Sequence, residues 1–436
     1  MALESKKDNV VERLCADVYL PRMFRVRQKL CDDRIKKESI PKIVRSELFR
    51  EKIDQRIFPG ANIGITCGSR GVANIAIITK AIVDFVKEAG GQPFVFPAMG
   101  SHGGATVEGQ LEVLTGYGVT EEFLGCPIKA TMETVQIGTI DCGQPVFVDR
   151  YAYQADGIIL CGRIKAHTGF RGPYESGLLK MSVIGMGKQH GAESIHELGF
   201  ATLGRVLPEA ARVVFDNCSI LAGLAVIENA FDETNRLEVI PGEDIFQREP
   251  ELLAEAKSKM GKIHIDNVDV LVVDQIGKDI SGDGMDPNVT NTYAAPEIMG
   301  NETKFHAQRI VVLDLTDNTH GHAGGIGMAD VTTKRLVDKI QVDTMYPNQV
   351  TATVLCEVKI PMFMHTDKSA IQVALRTCNH IDKTNPRIIR ILDTMHLREI
   401  LVSEALYKEA SESDQMEIIS EAMPWPFDGE NNLRPR

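Results

Sequence analysis

Residues 160–196 read LCGRIKAHTGFRGPYESGLLKMSVIGMGKQHGAESIH and hold three histidines and seven glycines around one apolar run. The segment leading into them, residues 157–161 (GIILC), is apolar throughout. That is the pattern of a strand buried on both faces, and such strands belong to parallel sheets covered by helices. A long glycine-rich connection kept after such a strand is usually functional. The stretch predicts an α/β fold with chemistry at the carboxyl end of a strand.

Upstream, residues 62–66 are a β-type run and Gly68-Ser69-Arg70-Gly71 a turn. Ile75, Ile78, Ala81, Ile82, Phe85, Val86 and Ala89 then form a helical stripe that stops at Gly90-Gly91. Residues 93–97 read as a second strand, running into Gly100-Ser101-His102-Gly103-Gly104-Ala105-Thr106 before a helix with Leu111, Val113 and Leu114. This is a βαβ unit. With its strands parallel, Arg70, His102 and His167 fall on the carboxyl edge of one sheet, where open α/β folds hold ligands.

Further out, residues 1–58 are a charged lead-in with helical spacing at Ile43, Val44, Leu48 and Phe49, and residues 220–227 are apolar. A second α/β run has strands at residues 268–274 (VDVLVVD), 309–315 (RIVVLDL) and 388–392 (IIRIL). The expected fold class is α/β: two α/β domains with a cleft between them, the default place for a small ligand. The first domain is drawn over residues 1–262 and the second over 265–396. In the tail, residues 397–436, Leu397, Ile400, Leu401 and Leu406 predict an amphipathic helix that returns to the first domain.

Composition removes several classes of function. The 48 Lys and Arg against 60 Asp and Glu give a net charge of −12, which argues against nucleic acid or an anionic membrane as partner. Nine scattered cysteines without a CxxC pair point to reduced thiols in the cytoplasm. The first residues, MALESKKDNVVERL, lack the apolar core of a signal peptide, and no run approaches the ~20 apolar residues of a membrane span.

His167 is a candidate acid, base or metal ligand near neutral pH. Lys180, between Leu178, Leu179, Met181 and Val183, is a candidate nucleophile toward carbonyl-type carbon, because apolar surroundings favour the uncharged amine. The plain alternatives are a lysine reaching solvent from a helix edge and a histidine satisfied by backbone. His320-Gly321-His322 has two imidazoles but no third ligand nearby, so a loop conformation explains it. Gly185-Met186-Gly187-Lys188 resembles a phosphate loop but continues with Gln189, not Ser or Thr. No GxGxxG follows the first strand, so a nicotinamide dehydrogenase is not supported.

The motifs resemble the lactate racemase family, the nickel-pincer nucleotide enzymes, over most of the chain. The family's G-x-H-R-x-x-T turn is similar to AMGSHGGAT, with His102 at a catalytic histidine, Thr106 at the threonine and Gly103 in place of the arginine. Its G-H-I-x-P-H segment resembles GRIKAH at Gly162, Ile164 and His167, the second catalytic histidine. Its GFSGGxK segment begins alike at Gly169-Phe170 and ends, after a short insertion, at Lys180, which the resemblance makes the covalent attachment point. His196 matches the nickel-binding histidine, with His190 as competitor. The family's D-x-x-R turn becomes Cys67-Gly68-Ser69-Arg70, keeping the arginine and losing the aspartate. Its L-D-Q-N turn resembles Met285-Asp286-Pro287-Asn288, but the substrate-contacting glutamine and lysine become Asn291 and Ala294.

The resemblance implies a racemase or epimerase that inverts C2 of a 2-hydroxy acid other than lactate, longer or polyhydroxylated, with the first domain binding cofactor and performing catalysis. The implied cofactor is the nickel-pincer nucleotide, a pyridinium thioamide/thiocarboxylate mononucleotide carrying nickel; the implied partners are the 2-hydroxy acid and the cofactor-biosynthesis proteins. Hydrogen leaves C2 as hydride, giving a planar keto acid open on both faces. His102 and His167 exchange the hydroxyl proton, and Arg70 clamps the carboxylate with its planar fork. Nickel with sulfur ligands and one imidazole suits a square-planar site. Two other classes stay open on the residues alone: a zinc- or iron-dependent lyase or dehydratase, and a non-catalytic sugar-acid or nucleotide binder.

Overall fold

The structure, a computed structural model, describes residues 10–69, 71–294 and 304–434. The chain divides into two compact units, Cys31–Met260 and Met1–Leu30 with Gly261–Arg436. The first strand, β1 (Met23–Gln28), belongs to the second of these.

In Cys31–Met260 the strands are β2 (Asn62–Cys67), β3 (Gln92–Pro97), β4 (Thr134–Thr139), β5 (Pro145–Asp149), β6 (Gly157–Arg163), β7 (Ile220–Glu228) and β8 (Thr234–Pro241). β4 and β5 pair as an antiparallel hairpin. The others form a sheet in the order β3-β2-β6-β7-β8, parallel except for β8. The apolar run in β6 is continuous because its alternate residues enter two cores: Ile158 and Leu160 on one face, Ile159 and Cys161 on the other. Helix α1 (Ile75–Glu88) covers the second face with Ile78, Ile82, Phe85 and Val86, each at most 1% exposed. Burying a side chain of this kind contributes about 1.5–3 kcal/mol. Further helices of this unit include α2 (Val107–Gly116), α3 (Lys188–His196), α4 (Phe200–Asn217) and α5 (Ile245–Lys259). Of these, α4 and α5 pack on the first face through Leu203, Val206, Leu207, Leu252 and Leu253.

The strand order fixes where a ligand belongs. From β2 the chain steps to β3 on one side, while β6 lies on β2's other side. The crossovers therefore diverge between β2 and β6, which opens a crevice at their carboxyl ends.

The other unit carries an eight-stranded sheet, with β9 (Asn267–Ile276), β10 (His306–Leu315), β11 (Val331–Thr333), β12 (Met362–Met364), β13 (Ile388–Ile391), β14 (Glu399–Ser403) and β15 (Met416–Ile418) joining β1. Its order is β12-β11-β10-β9-β13-β14-β1-β15, parallel from β12 to β13 and antiparallel beyond.

Two expectations are corrected here. The amphipathic tail helix is the strand β14: Ile400 and Val402 are fully buried on either side of the less buried Leu401, a period of two. The first domain does not begin at residue 1 or receive the tail, because β1 pairs with β14 and β15. Met23 and Val26 of β1 are buried while Arg25 and Arg27 face outward, so this strand needs a sheet to cover one side.

Candidate active site

Beyond β6 the chain makes a closed excursion before it reaches Lys180. Lys165 and Ser176 exchange backbone hydrogen bonds of 3.0 and 3.2 Å, which returns the chain beside its own strand and absorbs the residues inserted between His167 and Lys180. Glu175, 1% exposed, pins the loop: its carboxylate accepts the His167 N–H at 2.7 Å and pairs with Lys257 at 3.0 Å and Arg171 at 3.5 Å. A buried carboxylate needs such partners. The result is direct contact between His167 Nε2 and Lys180 Nζ at 2.5 Å.

The other imidazole nitrogen sets the sense of that contact. His167 Nδ1 accepts the Gly169 N–H at 2.8 Å, so the neutral ring keeps its proton on Nε2. The pair is then complementary when the amine meets that proton with a lone pair, the form in which a lysine attacks carbon. Gly169 is needed for packing as well. A Cβ there would stand 2.8 Å from the Phe200 ring, which lies 6.2 Å from His167 and 5.6 Å from His196.

Lys180 ends a helical turn, Leu178–Lys180, whose first N–H groups are met from a distant helix. Glu249 of α5 accepts Leu178 N–H at 3.0 Å and Leu179 N–H at 3.1 Å. Burial pushes the Glu249 carboxyl up to about 7, against the pull of those two N–H groups. A carboxyl raised on folding holds its proton more tightly folded than unfolded, so the stability it contributes is complete below pH 4.5 and is lost as pH rises to about 7. Glu249→Gln keeps an acceptor and cannot ionise. The wild-type Tm should therefore fall relative to the variant's between pH 4.5 and about 7 and then level off, whereas a pH-independent difference would contradict this origin.

His196, the last residue of α3, stacks on Phe200, and its Nδ1 is buried without a hydrogen-bond partner among the described residues. Burial, and after it the Lys180 amine in its charged form, pushes the imidazole down to about 4. The ring is neutral at pH 7, the state that binds a metal. His190 sits apart from this group, stacked on Phe147 with ring centroids 4.0 Å apart and 3.4 Å from the Thr134 hydroxyl.

His102 follows β3, two strands from β6, so the two strand ends are roughly 10 Å apart. Its Nδ1 is hydrogen-bonded by the Ser69 hydroxyl, and the Ser69 carbonyl accepts the Tyr117 hydroxyl. Cys67 offers no substitute for the missing aspartate, since burial pushes its thiol up to about 12. Ser69 thus orients the ring with a neutral group. Ser69→Ala should lower turnover roughly 3–10-fold, the scale of one hydrogen bond; full activity in a steady-state assay would remove Ser69 from the site. Thr106 is the N-cap of α2, accepting Gly109 N–H at 3.1 Å. Arg70 lies outside the described residues.

In the other unit Asp286 accepts Asn288 N–H at 2.9 Å and caps the turn Pro287–Thr290. The Asn291 amide donates to the Phe305 carbonyl at 2.9 Å. His322 accepts Gly324 N–H at 3.2 Å, a bond that shapes its loop, and burial pushes its imidazole down to about 4.

The donor set fits a covalently held cofactor that brings most of its metal's ligands. Among the described residues no three His, Cys, Asp or Glu side chains are grouped to hold a metal, so a metal here would take one imidazole, and the unpartnered His196 Nδ1 beside Lys180 is available for it. Sequence alone did not point to Ser69, Glu175 or Glu249. Glu249 is 71 residues from Leu178, and no local spacing announces it.

A parallel sheet with two histidines and a lysine following the carboxyl ends of its strands defines an α/β protein with a candidate ligand site at a topological switch point. Residues 27–202 match the family model described as the lactate racemase N-terminal domain. The fold is similar to that of the lactate racemase apoprotein from Thermoanaerobacterium thermosaccharolyticum, at 15% identity and a TM-score of 0.50 over 86% of this chain and 99% of that one. It is similar also to the crystal structure of a protein from Thermotoga maritima, at 14% identity and a TM-score of 0.50 over 87% and 99% of the two chains. No curated protein matches the sequence. Over residues 27–202 the chain is therefore similar to the lactate racemase N-terminal domain. Among the described residues no helix is long and apolar enough to cross a membrane.

Proposed function

We propose that this protein is a racemase or epimerase inverting C2 of a 2-hydroxy acid other than lactate, with Lys180 covalently holding a nickel-pincer nucleotide and His196 ligating its nickel. The observation that carries the reading is the 2.5 Å contact of His167 with Lys180, with the unpartnered His196 Nδ1 beside the same amine. The cofactor, when bound, supplies an electron-accepting carbon, so that the C2 hydrogen leaves as hydride and the planar keto acid is open on both faces. The chain's own residues do the rest. His167 and His102 flank the substrate from the ends of β6 and β3, and each takes or returns the hydroxyl proton on its side. Ser69 fixes the ring of His102, Glu175 fixes the backbone of His167, and Phe200 shields His196 from water. Arg70, three residues after β2 in the sequence, would clamp the carboxylate. The replacement of the family's substrate-contacting glutamine and lysine by Asn291 and Ala294 supports a substrate other than lactate. Protein purified from its own host, where cofactor-biosynthesis proteins would be its partners, should yield a tryptic peptide containing Lys180 with the added mass of a nucleotide; an unmodified peptide in active protein would exclude the attachment.

A further inference from the structure

The phosphate-loop-like segment Gly185-Met186-Gly187-Lys188 has a use that phosphate binding does not explain. Lys188 is fully buried and has left-handed backbone, with φ of +55°. Its ammonium lies 3.0 Å from the equally buried Asp149 carboxylate, donates to the Pro97 carbonyl at the end of β3, and donates to Gln110 Oε1 at 3.2 Å. Three protons thus face three acceptors inside the protein, where no phosphate reaches them. Asp149 is held in turn by the N–H groups of Tyr151 and Ala152 at 2.7 and 3.2 Å.

The Gln110 amide passes this order on. Its Nε2 donates to the Gly100 carbonyl at 3.0 Å and the His102 carbonyl at 3.3 Å, on the two sides of Ser101. An ammonium only donates, so Lys188 forces Oε1 toward itself and both amide protons toward the loop; the flipped amide would set NH2 against NH3+. The loop needs an external hold, because Gly100, Gly103, Gly104 and Ala105 all have φ between +55° and +67°.

We propose that Lys188 is a positioning residue for His102, acting through Gln110 and the end of β3 to hold the His102 loop in register with the strand ends. The acid–base role of His102 rests on the function proposed above; the positioning itself does not. The double variant Lys188→Met/Asp149→Asn removes both charges together and keeps the cap on Tyr151 and Ala152, so no unpaired charge is left buried. Amide exchange at His102, Ala105 and Thr106 should quicken by about 10-fold or more with that in β6 and β7 unchanged, and the His102 ring 13Cε1 resonance should shift or broaden. Turnover should fall by roughly 10–100-fold with KM little changed, as misplacement of a reacting group predicts. Gln110→Glu retains the acceptor for Lys188 and loses both donors to the loop, so it should reproduce the local changes, and it decides the matter if the double variant fails to fold. A folded variant of either kind with native exchange and a native His102 resonance would overturn the proposal. Loss of order at His102 in the variants, with no racemase activity in the wild type, would support the strut and remove the function proposed above instead.

Discussion

Lys180→Ala should fold normally and lose activity by on the order of 10³-fold or more, the scale expected when the group on which a whole constellation depends is removed. Stability should change little, because Lys180 is only partly buried and its turn is held by Leu178, Leu179 and the Glu249 cap. Lys180→Arg makes the comparison specific. It places a cation near His167 and His196 but cannot act as the nucleophile, so it should be as inactive as the alanine variant. Recovery of a tenth or more of the activity in Lys180→Arg, measured on protein from the native host, would reduce Lys180 to an electrostatic role.

His167→Asn should lower turnover by about 10²–10⁴-fold, the range for loss of a general acid–base group, while the protein keeps its Tm within a few degrees. Part of the effect comes through the neighbouring amine, since His167 Nε2 is the 2.5 Å partner of Lys180. The cofactor adduct on Lys180 should still form, which separates loss of proton transfer from loss of attachment. A variant with unimpaired turnover in both directions would show that another group handles the proton on that side of the substrate.

Much of the sheet that builds the site was legible in the sequence because its strands are buried on both faces. GIILC is apolar without interruption, residues 62–66 are a β-type run, and the stripe Ile75, Ile78, Ile82, Phe85 has helical spacing, so the βαβ unit follows from the sequence pattern alone. The approach of His167 to Lys180 does not follow from period, since the residues between them form no regular element; the Lys165–Ser176 bridge and the buried Glu175 close that distance. The resemblance supplied both residues, and the packing supplied the reason they meet. Ser69 was read only as a turn residue because its partner, His102, is 33 positions away. Lys188 stands in a segment that fails to match a phosphate motif, and its burial comes from contacts with Pro97, Gln110 and Asp149 that only the folded chain brings together. The tail was misread because Leu397, Ile400 and Leu401 also satisfy a helical spacing over so short a window; pairing with β1 and β13 decides for the strand.

In the proposed reaction the C2 hydrogen of a 2-hydroxy acid moves as hydride while the two histidines handle only the hydroxyl proton. Holoprotein from the native host, turned over in heavy water on a panel of enantiopure 2-hydroxy acids, tests it directly by the hydrogen content of the inverted product at C2. The account predicts inversion with the C2 hydrogen largely retained and a primary isotope effect on C2-deuterated substrate. Inverted product fully deuterated at C2 from the first turnover would mean direct deprotonation, and would contradict it.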